Sequence, residues 1–282
     1  MTVIEKTKLT YAIGGALTVN RLGYGAMQLS GFGVFGEVED RENAKKILQA
    51  AIAGGINFID TAEAYGPKFN ESLIADALHP YAKGLVIATK GGFSRTGPNK
   101  WIPNGDPAFI KSNIEGSLKR LNVDIIDLWQ LHRIDPKIPV EETLAPVADA
   151  VKAGKIRFVG LSEVNVAQIE QAEKVVPIVS VQNQYNLSMR QWEDVVDYTA
   201  KTGKAFIPWF PLASGPDKMA DKIETIAKAH DATVAQVALA WLLRRSSNIL
   251  LIPGTKSVNH LQENLKALQL ELTDEDFDTL SK

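Results

Sequence analysis

The segment NFIDTAEAYG at residues 57–66 sets Asp60 and Tyr65 just beyond an apolar run; Lys90 ends a second run in GLVIATK, and His132 a third in IIDLWQLH. A carboxylate, a phenol, an ammonium and an imidazole together form a proton-transfer set, and the chemistry they suit is protonation of a carbonyl oxygen. A free tyrosine titrates near about 10, and a neighbouring ammonium favours its ionised form, so Tyr65 beside Lys90 is expected to be a stronger acid than usual. Asp60 would keep Lys90 charged and placed, and His132 would polarise or orient the substrate oxygen. No pattern marks an activated nucleophile. The incoming species is therefore expected to be a hydride from a bound cofactor, and the reaction the reduction of an aldehyde or ketone. Taken singly, each residue has a structural explanation as a strand-end cap, a packed aromatic or a hydrogen-bonded histidine. Four of them at the same ends of three successive strands favour a site.

The elements that must position them follow from side-chain alternation. Counting back by two puts Phe58 and Ile56 on the face of Asp60, Ala88 and Val86 on that of Lys90, and Gln130 and Leu128 on that of His132. After a hairpin expected to turn at Gly14 and Gly15, short apolar runs alternate with amphipathic stretches. The strand candidates are RLGYGA, INFI, LVIAT, IIDLWQ, IRFVGL, IVSVQ, AFIPW and ILLIP. Between them, Ala44, Ile47, Leu48, Ala51 and Ile52 fall at helical spacing, as do Ile110, Ile114, Leu118 and Leu121 behind Asp106 and Pro107. Thr233 opens a further helix carrying Val234, Val237, Ala238, Trp241 and Leu242. Strict alternation implies a parallel sheet, and eight units predict a (β/α)8 TIM barrel with an N-terminal β-hairpin, one domain over residues 1–282. In that fold the loops after the strands build the active site, where these polar residues lie. Three such loops are long, at 30–40, 93–105 and 209–217, and Phe32, Phe35, Phe93 and Trp101 are expected to wall a substrate pocket.

Composition narrows the classes. With 45% hydrophobic and 23% charged residues and a net charge of −2, the chain reads as globular, and its dispersed basic residues argue against a nucleic-acid partner. Apolar runs such as VALAWLL are too short to span a bilayer, and MTVIEKTKLT lacks a signal-peptide core, so a cytoplasmic location is expected. The absence of cysteine excludes disulfide and thiolate chemistry, and the four histidines show no metal-ligand spacing, so no metal is expected.

GFGVFG at residues 31–36 matches the dinucleotide fingerprint literally. Yet four residues separate it from the expected helix start at Arg41, so a pyrophosphate would miss the helix amides, and Phe32 and Phe35 crowd the turn. The match is read as coincidental. IPGTKS at 252–257 is a better anion site, running from a buried strand into the helix VNHLQENLKAL with Lys256 adding charge.

From about residue 8 to residue 275 the chain resembles the aldo-keto reductases, through NFIDTAEAYG, ATKGG, LWQLH, GLS, VQNQYN, FPL and IPGTKSVNHLQENL in that order. The resemblance implies a barrel binding NADPH in extended form, with Asp60, Tyr65, Lys90 and His132 as the catalytic tetrad. It implies that Ser162 and Gln182 hold the nicotinamide carboxamide, that Trp209 stacks on the ring, and that Pro211, Leu212 and Gly215 cover the pyrophosphate. It further assigns Gly254, Thr255, Lys256 and Ser257 to the adenosine phosphate, Glu263 and Asn264 to adenine, and Ala26 and Met27 to the cofactor-lining first strand. The chain departs from the family pattern at Glu163, where many members have Asn, at Trp209 for Tyr, and at His260, where many carry an Arg on the 2′-phosphate. Lys256 is then the chief charge there, and NADPH is expected over NADH. VNRLGYGAMQL, GVFG and LLRRSSNILLIPGT look nearest to members of the pyridoxal-reductase type, so the small-molecule partner implied is a carbonyl compound such as pyridoxal. Two alternatives remain at this stage: a Schiff-base lyase using Lys90, and a cofactor-binding redox sensor without turnover.

Overall fold

The computed structural model describes residues 9–212 and 217–282. Its centre is a curled sheet of seven parallel strands. In spatial order these are β3 (Tyr24–Gly25), β4 (Phe58–Asp60), β5 (Val86–Gly91), β8 (Ile126–Leu131), β9 (Ile156–Ser162), β10 (Ile178–Gln182) and β11 (Ala205–Phe206). The run ILLIP lies between the two edges. Leu251 bridges in parallel to Leu22 beside β3, and Ile249 to Phe206 of β11. Backbone bonds from Gly23 N to Leu251 O (2.7 Å) and from Leu250 N to Phe206 O (2.8 Å) join both edges to this segment. The architecture is that of a TIM-like α/β barrel.

Around the sheet run α1 (Arg41–Ala53), α2 (Phe69–Leu78), α3 (Pro107–Leu121), α4 (Val140–Lys152), α5 (Val166–Glu173), α6 (Glu193–Lys201), α7 (Asp217–Ala229), α8 (Val234–Arg245), α9 (Val258–Lys266) and α10 (Asp274–Ser281). Their starts have local causes. Asp40 accepts from Asn43 N before α1, Asp106 from Phe109 N before α3 with Pro107 in the first turn, and Ser257 from His260 N before α9. Thr233 and Gln236 form a reciprocal capping box on α8. The buried stripe of α1, Ala44, Ile47, Leu48 and Ala51, belongs to the same outer apolar cluster as the outward strand residues Ile59, Ile87, Trp129 and Val159.

The inward residues make a separate apolar cluster of Phe58, Val86, Ala88, Leu128, Ala205, Ile207, Leu250 and Ile252. The same cluster includes Ile13, Leu17 and Val19 from β1 (Thr10–Ile13) and β2 (Leu17–Asn20), an antiparallel pair joined across Gly14 and Gly15, both at positive φ. This pair packs on the barrel floor. Above the apolar layer the inward positions become polar, with Asp60 paired in register to Ala88, Lys90 to Gln130, and Gln182 to Ser162.

Two segments differ from the sequence expectation. Residues 93–105, expected as a loop, contain an antiparallel ladder of β6 (Phe93–Arg95) and β7 (Trp101–Pro103). AFIPW yields a strand of only two residues, Ala205–Phe206, and Trp209 resumes the pairing in the same register as an isolated parallel bridge to Gln184. Gly31 N donates to Gly36 O (3.1 Å), closing the GFGVFG segment on itself before α1 begins at Arg41. That closure agrees with reading the glycine motif as a loop.

Gly160 links the fold to the polar layer. A Cβ there would lie 2.2 Å from Ser180 Oγ and 3.1 Å from Gln130 Cγ, inside a filled barrel. Gly160→Ala is expected to cost about 1–3 kcal/mol through overpacking, read as a lowered urea midpoint. Adding Ser180→Gly should restore most of it; additive losses in the double variant would refute the steric account.

Candidate active site

Strands β4, β5, β8 and β10 deliver Asp60, Lys90, Gln130 and Gln182 to one polar cluster at their carboxyl ends. Lys90, fully buried, donates from Nζ to Asp60 Oδ1 (2.5 Å), to the Thr61 carbonyl (2.9 Å) and to the Tyr65 hydroxyl (3.3 Å). Gln130 Nε2 (3.1 Å) and Gln182 Nε2 (2.9 Å) both donate to Asp60 Oδ2. Each carboxylate oxygen is thus engaged, and each ammonium proton has an acceptor. Burial pulls Lys90 down, but Asp60 and Tyr65 outweigh it and hold the amine above its ordinary range. A lysine so pinned is a poor imine-forming nucleophile.

Tyr65 differs from the sequence expectation. Burial pushes its phenol up, Lys90 pulls it down, and the net direction is upward. At neutral pH the phenol therefore retains its proton until a stronger base develops beside it. The His132 ring lies against Phe93 (4.7 Å between centroids), Tyr65 (5.8 Å) and Trp101 (6.1 Å). Burial foremost, then the positive charges of Lys90, Arg133 and Arg95, hold it well below the usual imidazole range, and its buried Nδ1 has no hydrogen-bond partner among the described residues. His132 is neutral at pH 7.

These groups open into a cavity of about 620 Å³. Asp60, Tyr65 and His132 lie on its floor; Phe93, Trp101 and Trp209 supply aromatic wall; Ser162, Gln182, Met27, Pro211, Leu212 and Gly254 also line it. Phe32 and Phe35, expected as wall, are absent from the lining. Phe32 is 84% exposed, because Gly33 O and Asn99 N tie this turn to the 93–105 segment (2.9 Å) and leave the ring outward. Phe35 packs beside the Arg95 guanidinium (5.8 Å). Arg95 also stacks on Trp101 (3.5 Å) and donates to the Gly33, Val34, Ala64 and Lys100 carbonyls, so one side chain binds three loops. Its role had no signal in spacing or periodicity. Arg133, Val34, Asn99 and Phe210 also line the cavity and were not foreseen.

Further from the floor, Ala26 is fully buried, and its carbonyl accepts from Asn70 Nδ2 (2.9 Å). Thr255 is buried beside Tyr24, whose hydroxyl donates to the Thr255 carbonyl (2.7 Å). Lys256 is exposed at the amino end of α9; Ser257, His260, Glu263 and Asn264 follow on that end and helix. Gly215 lies outside the described residues. Glu163, at φ 55°, accepts from Trp209 Nε1 (2.7 Å) and Gln184 N (2.5 Å), so its carboxylate fixes the Trp209 ring. A carboxylate suits that place because an indole N–H only donates.

The aldo/keto reductase family model matches residues 21–282. The chain belongs to the aldo/keto reductase family. Among curated proteins, this aldo/keto reductase is 48% identical to an uncharacterized oxidoreductase of Schizosaccharomyces pombe, covering 95% of this chain and 88% of that protein. It is 42% identical to pyridoxine 4-dehydrogenase of Escherichia coli, covering 94% and 95%. Among solved structures it matches a thermostable aldo-keto reductase in complex with the inhibitor epalrestat, at TM-score 0.87 and 32% identity over 97% of this chain and 98% of that one. An aldo-keto reductase from Klebsiella pneumoniae in complex with NADPH matches at TM-score 0.81 and 26% identity, over 96% and 93%. Like its relatives, this chain is an oxidoreductase, and among the described residues no helix is long and apolar enough to cross a membrane.

The neutral histidine gives the site a pH signature. Its folded pKa lies below the unfolded value near about 6.5, so unfolded chains bind the extra proton first as pH drops. The stability tied to neutral His132 is complete above that value and is lost as pH falls toward the folded pKa. His132→Gln should flatten the fall in unfolding free energy below about pH 6.5, and nitrogen NMR of the wild type should keep His132 neutral there. Protonation at an ordinary imidazole pKa would overturn the assignment.

Proposed function

We propose that this aldo/keto reductase uses NADPH to reduce an aldehyde or ketone to the alcohol, on a closed (β/α)8 barrel, with pyridoxal as a substrate. The observation that carries the reading is the buried Tyr65–Lys90–Asp60 chain facing a largely apolar cavity beside a neutral His132.

Several features of the chain suit the cofactor. Ser162 Oγ accepts from Arg133 Nη1 (2.9 Å), leaving its own proton to donate to a carboxamide oxygen. Gln182 spends Nε2 on Asp60, leaving Oε1 to accept from a carboxamide amine. Trp209, held by Glu163, offers a fixed aromatic face. The cavity lining reaches Pro253 and Gly254, close before Lys256 and the amino end of α9, where helix amides and an ammonium favour phosphate. NADPH, when bound, supplies the hydride.

The rest of the chemistry belongs to the chain. Tyr65 donates its phenolic proton to the carbonyl oxygen as that oxygen becomes basic. Lys90, 3.3 Å away, stabilises the phenolate left behind, and Asp60 keeps Lys90 cationic. Neutral His132 orients the oxygen without competing for the proton. Phe93 and Trp101 give a flat aromatic aldehyde two walls to pack against. The 42% identical pyridoxine 4-dehydrogenase supports pyridoxal in particular.

The deciding experiment follows NADPH consumption with pyridoxal and with 4-nitrobenzaldehyde, comparing wild type with Tyr65→Phe. The variant should lose about 10²–10⁴-fold in kcat while keeping NADPH affinity. Undiminished turnover would refute the proton donor, and tight NADPH binding without any wild-type turnover would point to a regulatory subunit. Lys256→Ala should weaken NADPH more than NADH, because only NADPH carries the 2′-phosphate. Equal losses in titration would remove Lys256 from that role.

A further inference from the structure

Arg133 follows His132 directly and lines the same cavity, half-buried. Its Nη1 donates to the His132 carbonyl (2.6 Å) and to Ser162 Oγ (2.9 Å), which fixes the plane of the guanidinium. The rings of Phe93 (5.6 Å) and Trp209 (5.9 Å) flank it. A guanidinium has five N–H donors. Nη1 is committed, while Nε and Nη2 have no acceptor among the described residues.

Nor does a carboxylate pair with it. Glu163 is the nearby acid, and its charge favours the guanidinium through space, but its Oε1 accepts from Trp209 Nε1 and Gln184 N, and among the described residues no direct ion pair or hydrogen bond joins it to Arg133. Asp60, also in the lining, is saturated by Lys90, Gln130 and Gln182. His132 is neutral. Among the described lining residues, Arg133 is the one cation, and no carboxylate is hydrogen-bonded to it. A cation partly removed from water between aromatic rings gains from a ligand that brings a counter-charge to its free N–H groups. Its planar fork matches a carboxylate, which accepts two parallel N–H bonds.

We propose that Arg133 is a specificity-determining residue that selects aldehydes bearing a carboxylate, held by its Nε and Nη2 edge while the carbonyl lies at Tyr65 and His132. The proposal rests on the carbonyl-reduction reading above, and it does not depend on pyridoxal. Arg133 and His132 are neighbours in the chain and line one cavity, so a compact substrate can contact both. Compact acids such as 4-carboxybenzaldehyde fit that description.

The test compares 4-carboxybenzaldehyde with 4-nitrobenzaldehyde, a planar neutral isostere, at saturating NADPH. The readout is the ratio of their kcat/KM values within each protein, so that any general damage cancels. Comparing that ratio between proteins removes the difference in intrinsic reactivity. Arg133→Met keeps the side-chain stem and removes the fork; it should lower the carboxy-to-nitro ratio about 10- to 100-fold, the worth of a hydrogen bond to a charged group. Arg133→Lys should recover part of the loss, since charge remains without the bidentate geometry. Benzoate should also inhibit the wild type competitively against 4-nitrobenzaldehyde, and more strongly than benzamide.

An unchanged ratio in Arg133→Met, with wild-type turnover of both aldehydes, would overturn the anion site and leave carbonyl reduction standing. Equal losses on both aldehydes accompanied by weakened NADPH binding would instead make Arg133 a cofactor residue and overturn the proposal. Turnover of neither aldehyde by the wild type would overturn both readings together. The benzoate measurement uses only the wild-type protein and stands even if the variants fold poorly; inhibition no stronger than by benzamide would overturn the proposal.

Discussion

Everything at the mouth of this barrel depends on keeping one ion pair dry. Lys90 and Asp60 are almost wholly removed from water, where separate ions would each cost several kcal/mol of solvation. The pair persists because its remaining valences are met. Thr61 and Tyr65 accept from the ammonium, while Gln130 and Gln182 donate to the far carboxylate oxygen. Removing one partner from such a pair typically costs about 3–5 kcal/mol, because the other charge is left buried and alone. That requirement explains why four strands converge on one cluster. It also explains why Gly160 stands opposite Gln130 and Ser180, where any side chain would displace the amide that serves Asp60.

The layer beneath makes the cluster possible. Phe58, Ala88 and Leu128 fill the barrel one step below Asp60, Lys90 and Gln130, and the β1–β2 pair packs on the same apolar cluster. An interior filled from below leaves the polar side chains one direction in which to open, toward the cavity. Low polarizability below and saturated hydrogen bonds around then fix their geometry before any ligand arrives, the condition under which electrostatic stabilisation is strongest. Trp209 and Trp101 are fixed by the same logic at the rim, Trp209 by its bond to Glu163 and Trp101 by the stacked Arg95.

Much of this was legible in the chain because it is periodic. Alternation by two set Phe58 under Asp60 and Ala88 under Lys90, and Asp106 and Thr233 announced helices through their own short-range chemistry. What was not legible depends on partners distant in sequence. Phe32 is turned outward by bonds between Gly33 and Asn99, which no local pattern encodes. Residues 93–105 carry turn formers throughout, and the ladder of Phe93 with Pro103 is visible only once the strands are paired. Arg95 reaches four carbonyls on three loops, and Arg133 acquires meaning from what fails to pair with it. The direction for Tyr65 was misjudged because the neighbouring ammonium is evident in sequence, whereas the completeness of burial is a property of the fold.

The three titrating groups are pushed in directions that agree with one another. Tyr65 is raised, Lys90 is raised and His132 is lowered, so near neutrality the cluster has a single dominant protonation state: phenol, ammonium and neutral imidazole. Separation of pKa values between neighbours is what assigns distinct roles to acids and bases in one site. In the proposed reaction a raised phenol still suffices as the donor. The acceptor proposed is an oxygen turning into an alkoxide, which is far more basic than any phenolate, and Lys90 would add its stabilisation chiefly as negative charge develops on Tyr65. Its attraction is therefore greater in the transition state than in the resting site, and only interactions of that kind accelerate a chemical step.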